Sequence, residues 1–99
     1  MTRIIAGPCQ HETFEQSMEI AQHCYNVCES FGFDYIFKAS YDKANRSHDS
    51  GIRGVGIDET LKAFREMRKE LPNIKILTDV HTTAEINRVR GSVDVLQIP

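Results

Sequence analysis

Ile74-Lys75-Ile76-Leu77-Thr78-Asp79-Val80-His81 reads as a β-strand with chemistry at its far end. The run Ile74 to Val80 is too apolar for a surface strand, and Asp79 and His81 close it on polar groups. On its N-terminal side, Ile57, Leu61, Phe64 and Leu71 recur at helical spacing, with Asp58 and Glu59 in the first turn, where the helix dipole favours acids. Pro72-Asn73 breaks that helix. On the C-terminal side, Thr82 with Glu85 fits a capping box opening a short helix through Ile86 and Val89, which Gly91 ends. Val93 to Ile98 is then a fourth strand. Toward the N-terminus, Tyr35-Ile36-Phe37 is a second strand. Before it comes an amphipathic helix whose apolar positions are Phe14, Met18, Ala21, Tyr25 and Cys28, with Thr13 and Gln16 as its start and Gly32 as its stop. Ile4-Ile5-Ala6 makes a first strand that Gly7-Pro8 ends.

The order is therefore βαβαβαβ, an α/β chain. Strands alternating with helices imply a parallel sheet with right-handed crossovers. A four-stranded piece of this kind leaves two unpaired edges and an uncovered apolar face. The expected fold is the N-terminal half of a (β/α)8 TIM barrel, with residues 1–99 as a single truncated domain carrying strands one to four. An intact open four-stranded sheet is the alternative. In either case chemistry gathers at the C-terminal ends of the strands. Those ends are Gly7-Pro8-Cys9, Lys38-Ala39-Ser40, Thr78 to His81, and Gln97-Ile98-Pro99, all polar or conformationally special.

Composition narrows the function classes. A net charge of -2 supplies no basic field for nucleic acid or an acidic membrane. No apolar run reaches membrane-spanning length. Strand-like residues follow Met1 too closely for a signal peptide, so a cytoplasmic location is expected. Cys9, Cys24 and Cys28 are an odd, irregularly spaced set, unlike a disulfide framework. Cys24 and Cys28 lie four apart on the apolar helix face, where core packing is expected rather than a metal pair.

Residues 40–56 are polar and carry three glycines, a loop length that marks function or disorder. Lys38, Lys43 and Arg46 place three cations within nine residues, interleaved with Ser40, Asn45 and Ser47. A phosphate dianion calls for that mixture of charge and neutral donors. A solvated basic loop would have the same composition. Asp79 and His81 fall on one side of their strand and could orient water, bind a metal or shuttle a proton, or form a satisfied structural pair. Cys9 could offer a thiolate to a transition metal or be an inert thiol.

Together these segments resemble the family of 3-deoxy-D-manno-octulosonate 8-phosphate synthases, also called 2-dehydro-3-deoxyphosphooctonate aldolases. The resemblance rests on Ile5-Ala6-Gly7-Pro8-Cys9 with Glu12, on Phe37-Lys38-Ala39-Ser40-Tyr41-Asp42-Lys43-Ala44-Asn45-Arg46-Ser47, on Arg53-Gly54, on Thr78-Asp79-Val80-His81 and on Asp94 to Pro99. It implies a TIM-barrel transferase of lipopolysaccharide sugar biosynthesis. Phosphoenolpyruvate, D-arabinose 5-phosphate and water would give the eight-carbon sugar acid phosphate and inorganic phosphate. It places Lys38, Ser40 and Lys43 near phosphoenolpyruvate and the reacting centre. Asn45, Arg46 and Ser47 would lie at arabinose 5-phosphate, the last two across a subunit boundary of a homo-oligomer. Asp79 and His81 would sit near the water or metal, and Gln97 at the mouth of strand four. Lys38, Lys43, Asp79 and His81 are the catalytic candidates. Cysteine at position 9 resembles the metal-dependent class of this family. That implies a divalent metal with Cys9 as the one ligand within this chain, the histidine, glutamate and aspartate ligands lying beyond it.

Some positions depart from the family pattern. Gln10 and His11 stand where small or aliphatic residues are usual, Thr13 replaces a serine, and Val55 replaces a proline. Residues 48–52 differ from a serine-rich run, and Asp49 adds negative charge beside the expected sugar-phosphate loop. Two other readings stay open. One is a 3-deoxy-heptulosonate 7-phosphate synthase-like aldolase. The other is a non-catalytic truncated fragment or oligomerising module, the 99 residues being expected to be inactive alone.

Overall fold

The computed structural model describes residues 1–41 and 56–99. Seven elements follow in the expected order: β1 (Arg3–Gln10), α1 (Phe14–Phe31), β2 (Asp34–Ser40), α2 (Ile57–Glu70), β3 (Lys75–Asp79), α3 (Thr83–Val89) and β4 (Val95–Gln97). The strands form one sheet in the order β1-β2-β3-β4, every neighbouring pair parallel. This is the arrangement of the first four strands of a (β/α)8 barrel.

The helix ends follow from their caps. The Thr13 hydroxyl accepts from the Gln16 N–H at 3.1 Å, and the Thr82 hydroxyl from the Glu85 N–H at 3.2 Å. Gly32 closes α1 at φ 72°, a left-handed conformation that glycine adopts without a Cβ penalty. The core lies between sheet and helices. Phe37, Phe64, Met67 and Ile76 are fully buried there, with Phe37 and Phe64 edge to face at 6.3 Å between ring centroids. Cys28 is buried and Cys24 packs against the same cluster, as their apolar positions predicted.

One strand boundary corrects the sequence reading. β1 does not stop at Gly7-Pro8 but runs on to Gln10. Four residues of β1, Ala6 to Cys9, span the same stretch as three of β2, Phe37 to Ala39. The extra residue is absorbed by a bulge, and Cys9 takes φ 74° there. A bulge tolerates the missing N–H of Pro8, so the breaker ends the regular ladder without ending the strand. β3 and β4 are also shorter than the apolar runs that predicted them, because Ile74, Val80 and Val93 pack on the core beyond the ladder.

At the opposite, N-terminal end of the sheet, Arg68 and Asp94 form a clamp. The Arg68 guanidinium reaches Asp94 Oδ2 at 2.9 Å and the Ser92 carbonyl at 3.1 Å, while Asp94 Oδ2 also accepts the Ile76 N–H at 2.9 Å. Burial pushes the Asp94 carboxyl up, but the Ile76 N–H and the Arg68 guanidinium outweigh it and hold the group below its ordinary 3.8. The ionised form is therefore favoured by folding. Its contribution is present above the ordinary value and is lost as pH falls through the depressed folded value. Asp94→Ala leaves the Ile76 N–H without its acceptor and is expected to cost about 1–2 kcal/mol in urea unfolding at pH 7. The ion pair itself, about one-third exposed, adds little to that.

Candidate active site

The C-terminal edge of the sheet collects the residues expected to do chemistry. Asp79 pairs with Gln97, and Ser40 donates its hydroxyl to Asp79 Oδ1. Partners across a parallel ladder project to the same face. Ser40, Asp79 and Gln97 thus form one polar row across β2, β3 and β4, on the face opposite the helices. Lys38 lies one step deeper on that face, beside Leu77, and is half-buried.

Asp79 is shared. Its Oδ2 lies 3.1 Å from His81 Nε2, and the two side chains are only 13% and 21% exposed. Ser40, Asp79 and His81 therefore make a continuous chain of hydrogen-bonding groups that can hold a proton or orient a water. A cleft lined by Val80, His81, Thr82, Ile86, Ile98 and Pro99 opens beside His81.

Glu85 carries a role the sequence did not announce. Its N–H completes half of the expected capping box. Its carboxylate does not return to Thr82 but accepts the His81 N–H at 3.0 Å and the Tyr41 hydroxyl at 2.5 Å. Tyr41 is buried, and its ring meets the His81 imidazole edge to face at 6.2 Å. Glu85 thereby fixes the backbone of His81 and the first residue after β2. A capping pattern gives no sign of this, because the tyrosine arrives from 44 residues away.

His11 and Ser17 were also missed. Both are buried, and His11 Nδ1 lies 2.7 Å from Ser17 Oγ, tying the end of β1 to α1. Burial lowers the His11 pKa below 6.5, with Glu12 and Glu59 partly opposing it. The unfolded chain therefore takes up a proton near 6.5 that the folded chain resists. The stabilisation is full above that value and is lost as pH falls through it toward the lowered folded value. The urea midpoint is expected to drop between pH 7.5 and 5.5, and His11→Gln to flatten that drop.

Cys9 sits on the bulge with an exposed side, in register with Ala39. Among the described residues, no group of three or more His, Cys, Asp and Glu side chains is placed to hold a metal ion. The described residues therefore do not fit a metal by themselves, and Cys9 offers one donor. Lys43, Asn45, Arg46 and Ser47 lie outside the described residues. Among the described residues, no helix is long and apolar enough to cross a membrane. A second cleft, lined by Arg3, Asp34, Tyr35, Asn73 and Lys75 among others, lies at the N-terminal ends of the strands. That is the end where barrels carry stability rather than chemistry.

The fold is that of the leading half of an α/β barrel, with a row of polar side chains at the strand C-termini. A family model described as the DAHP synthetase I family matches residues 1–99, and the chain belongs to that family. The chain is 47% identical over 96 residues to a 2-dehydro-3-deoxyphosphooctonate aldolase of Dechloromonas aromatica, covering 97% of this chain and 34% of that protein. Proteins of the same name from Methylobacillus flagellatus and Rhizobium meliloti are 46% and 42% identical, each again over 97% of this chain and 34% of the relative. The chain thus spans about a third of the length of the curated relatives it matches.

Proposed function

We propose that this chain supplies one side of the active-site mouth of a 3-deoxy-8-phosphooctulonate synthase, a carbon–carbon bond-forming transferase. The observation that carries the reading is the linked set Ser40, Asp79 and His81 at the strand ends. Support comes from the relatives that bear the aldolase name. In this reaction C3 of phosphoenolpyruvate attacks the aldehyde carbon of arabinose 5-phosphate, while water adds at C2. The resulting hemiketal phosphate releases inorganic phosphate by C–O cleavage. Lys38 and Ser40 face phosphoenolpyruvate, with Lys38 offsetting its negative charge. Asp79 and His81 orient the water and take up its proton. Gln97 lines the mouth. Lys43 acts at the reacting centre, and Asn45, Arg46 and Ser47 receive the sugar phosphate, the last two across a subunit boundary of a homo-oligomer. Cys9 would offer one thiolate to a divalent metal and does not hold one by itself. Residues 1–99 form one unit of the barrel and do not turn over by themselves, because the row of polar groups described above walls one side of the mouth.

The test is phosphate release from phosphoenolpyruvate by the full natural chain. It is expected to require arabinose 5-phosphate and to fail with erythrose 4-phosphate. The reverse preference would favour the second reading, a heptulosonate 7-phosphate synthase, which the description of the matching family model makes specific. Arabinose-dependent release by the isolated 99 residues would refute their inactivity.

A further inference from the structure

His81 stands where the chain leaves the sheet. The Val80 N–H donates to the Gln97 carbonyl at 3.1 Å, but the next N–H, that of His81, goes to Glu85 Oε1 at 3.0 Å. The same carboxylate oxygen accepts the Tyr41 hydroxyl at 2.5 Å. A glutamate early in a helix that reaches back to an N–H ahead of it is a capping arrangement, and capping of α3 accounts for the His81 bond. It does not account for Tyr41, which is buried at the end of β2 and arrives from 44 residues away. The Tyr41 ring also meets the His81 imidazole edge to face at 6.2 Å. Three contacts therefore locate His81: the Glu85 carboxylate on its backbone, the Tyr41 ring on its imidazole, and Asp79 Oδ2 at 3.1 Å from Nε2. The first two belong to one hydrogen-bonded pair, Tyr41 and Glu85.

We propose, resting on the functional reading above, that Tyr41 and Glu85 are positioning residues: their hydrogen bond holds His81 where its imidazole, oriented by Asp79, takes the proton of the water that adds at C2 of phosphoenolpyruvate. A hydrogen bond to a carboxylate is shorter and stronger than a neutral one, which suits it to fixing a residue that the sheet no longer holds. A group that moves a proton must lie within hydrogen-bond reach of it, and a small displacement from a change outside the chemistry lowers the rate steeply. Tyr41 and Glu85 act through His81 and not on either substrate, so their loss falls on kcat and leaves KM in place.

The experiment measures kcat and both KM values of the full natural chain and of Tyr41→Phe, Glu85→Ala, Glu85→Gln and the double variant Tyr41→Phe with Glu85→Ala. Urea unfolding gives the folded fraction of each. Tyr41→Phe keeps the ring and the helix cap and removes only the hydroxyl. It is expected to lower kcat about threefold to tenfold, and Glu85→Ala about 10-fold to 100-fold, with both KM values within about twofold of the parent. The double variant should be no slower than Glu85→Ala, because the two side chains act through one bond. Glu85→Gln, which keeps a carbonyl oxygen at that point, should recover part of the loss. If Glu85→Ala does not fold, Tyr41→Phe and Glu85→Gln decide. Losses that follow the unfolded fraction would make the pair a structural cap and overturn the proposal. So would independent, multiplying losses in the double variant, or a rise in KM with kcat unchanged. If the parent releases no phosphate in response to arabinose 5-phosphate, the functional reading fails and this inference with it. If the parent turns over and Tyr41→Phe and Glu85→Ala match it, this inference alone is wrong.

Discussion

Gly7→Ala is expected to abolish folding of the chain, with a loss of more than about 4 kcal/mol. A Cβ at Gly7 would overlap the backbone carbonyl of Lys38, and rigid β2 cannot yield as a flexible side chain could. The change forces β1 from β2 at the point where the bulge begins, so the ladder fails beside the mouth. Circular dichroism and a urea titration read the outcome. Gly91→Ala is the matched control: nothing lies near its added methyl and its backbone is not left-handed. It is expected to stay within about 0.5 kcal/mol of the parent. A Gly7→Ala chain that unfolds like the control would show that the close approach to Lys38 is not what the glycine is for.

Asp79→Asn is expected to lower kcat of the proposed condensation by about 100-fold to 1000-fold while leaving the fold intact. The carboxylate accepts from Ser40 on one oxygen and faces His81 Nε2 with the other. An amide keeps the shape but presents a donor in place of one acceptor and removes the negative charge, so Ser40 must turn its hydroxyl round or His81 must offer an unprotonated Nε2, and the proton-holding chain is lost. Ser40→Ala removes a single donor to Asp79 and should cost less. Steady-state phosphate release, with unfolding as a check on integrity, decides the matter. Wild-type turnover in the Asp79→Asn protein would remove this pair from the mechanism.

The element order and the helix caps could be read from the chain because each depends on neighbours within a few residues. Thr13 with Gln16, Gly32 and Thr82 with Glu85 all act locally. What escaped depended on distant partners. Gly7-Pro8 looks like a terminator in one dimension. Only the mismatch between β1 and β2 turns it into a bulge that carries the strand on to Gln10. Ser17 sits on the buried face of α1 by its spacing from Phe14 and Ala21, but its polar type gave no sign that His11 reaches it. Arg68 and Asp94 read as ordinary charges until the chain brings them 26 positions together. For the site, Lys38, Ser40, Asp79 and Gln97 were found from strand-end polarity, and the structure joins Ser40 to Asp79 and Asp79 to His81. Tyr41 and Glu85 were not, since they meet each other across 44 residues.

The polar row also has a metric meaning. Neighbouring strands sit about 4.8 Å apart, so two steps from β2 to β4 set off a span of about 10 Å. That interval is set by backbone hydrogen bonds and does not change when a side chain on it is exchanged. Ser40, Asp79 and Gln97 are graduations on a fixed scale, and substitution rewrites a mark without moving it. An enzyme built on this edge would adapt to a longer or shorter partner by changing which marks are inscribed, or the loops beyond them, while the scale itself stays the same.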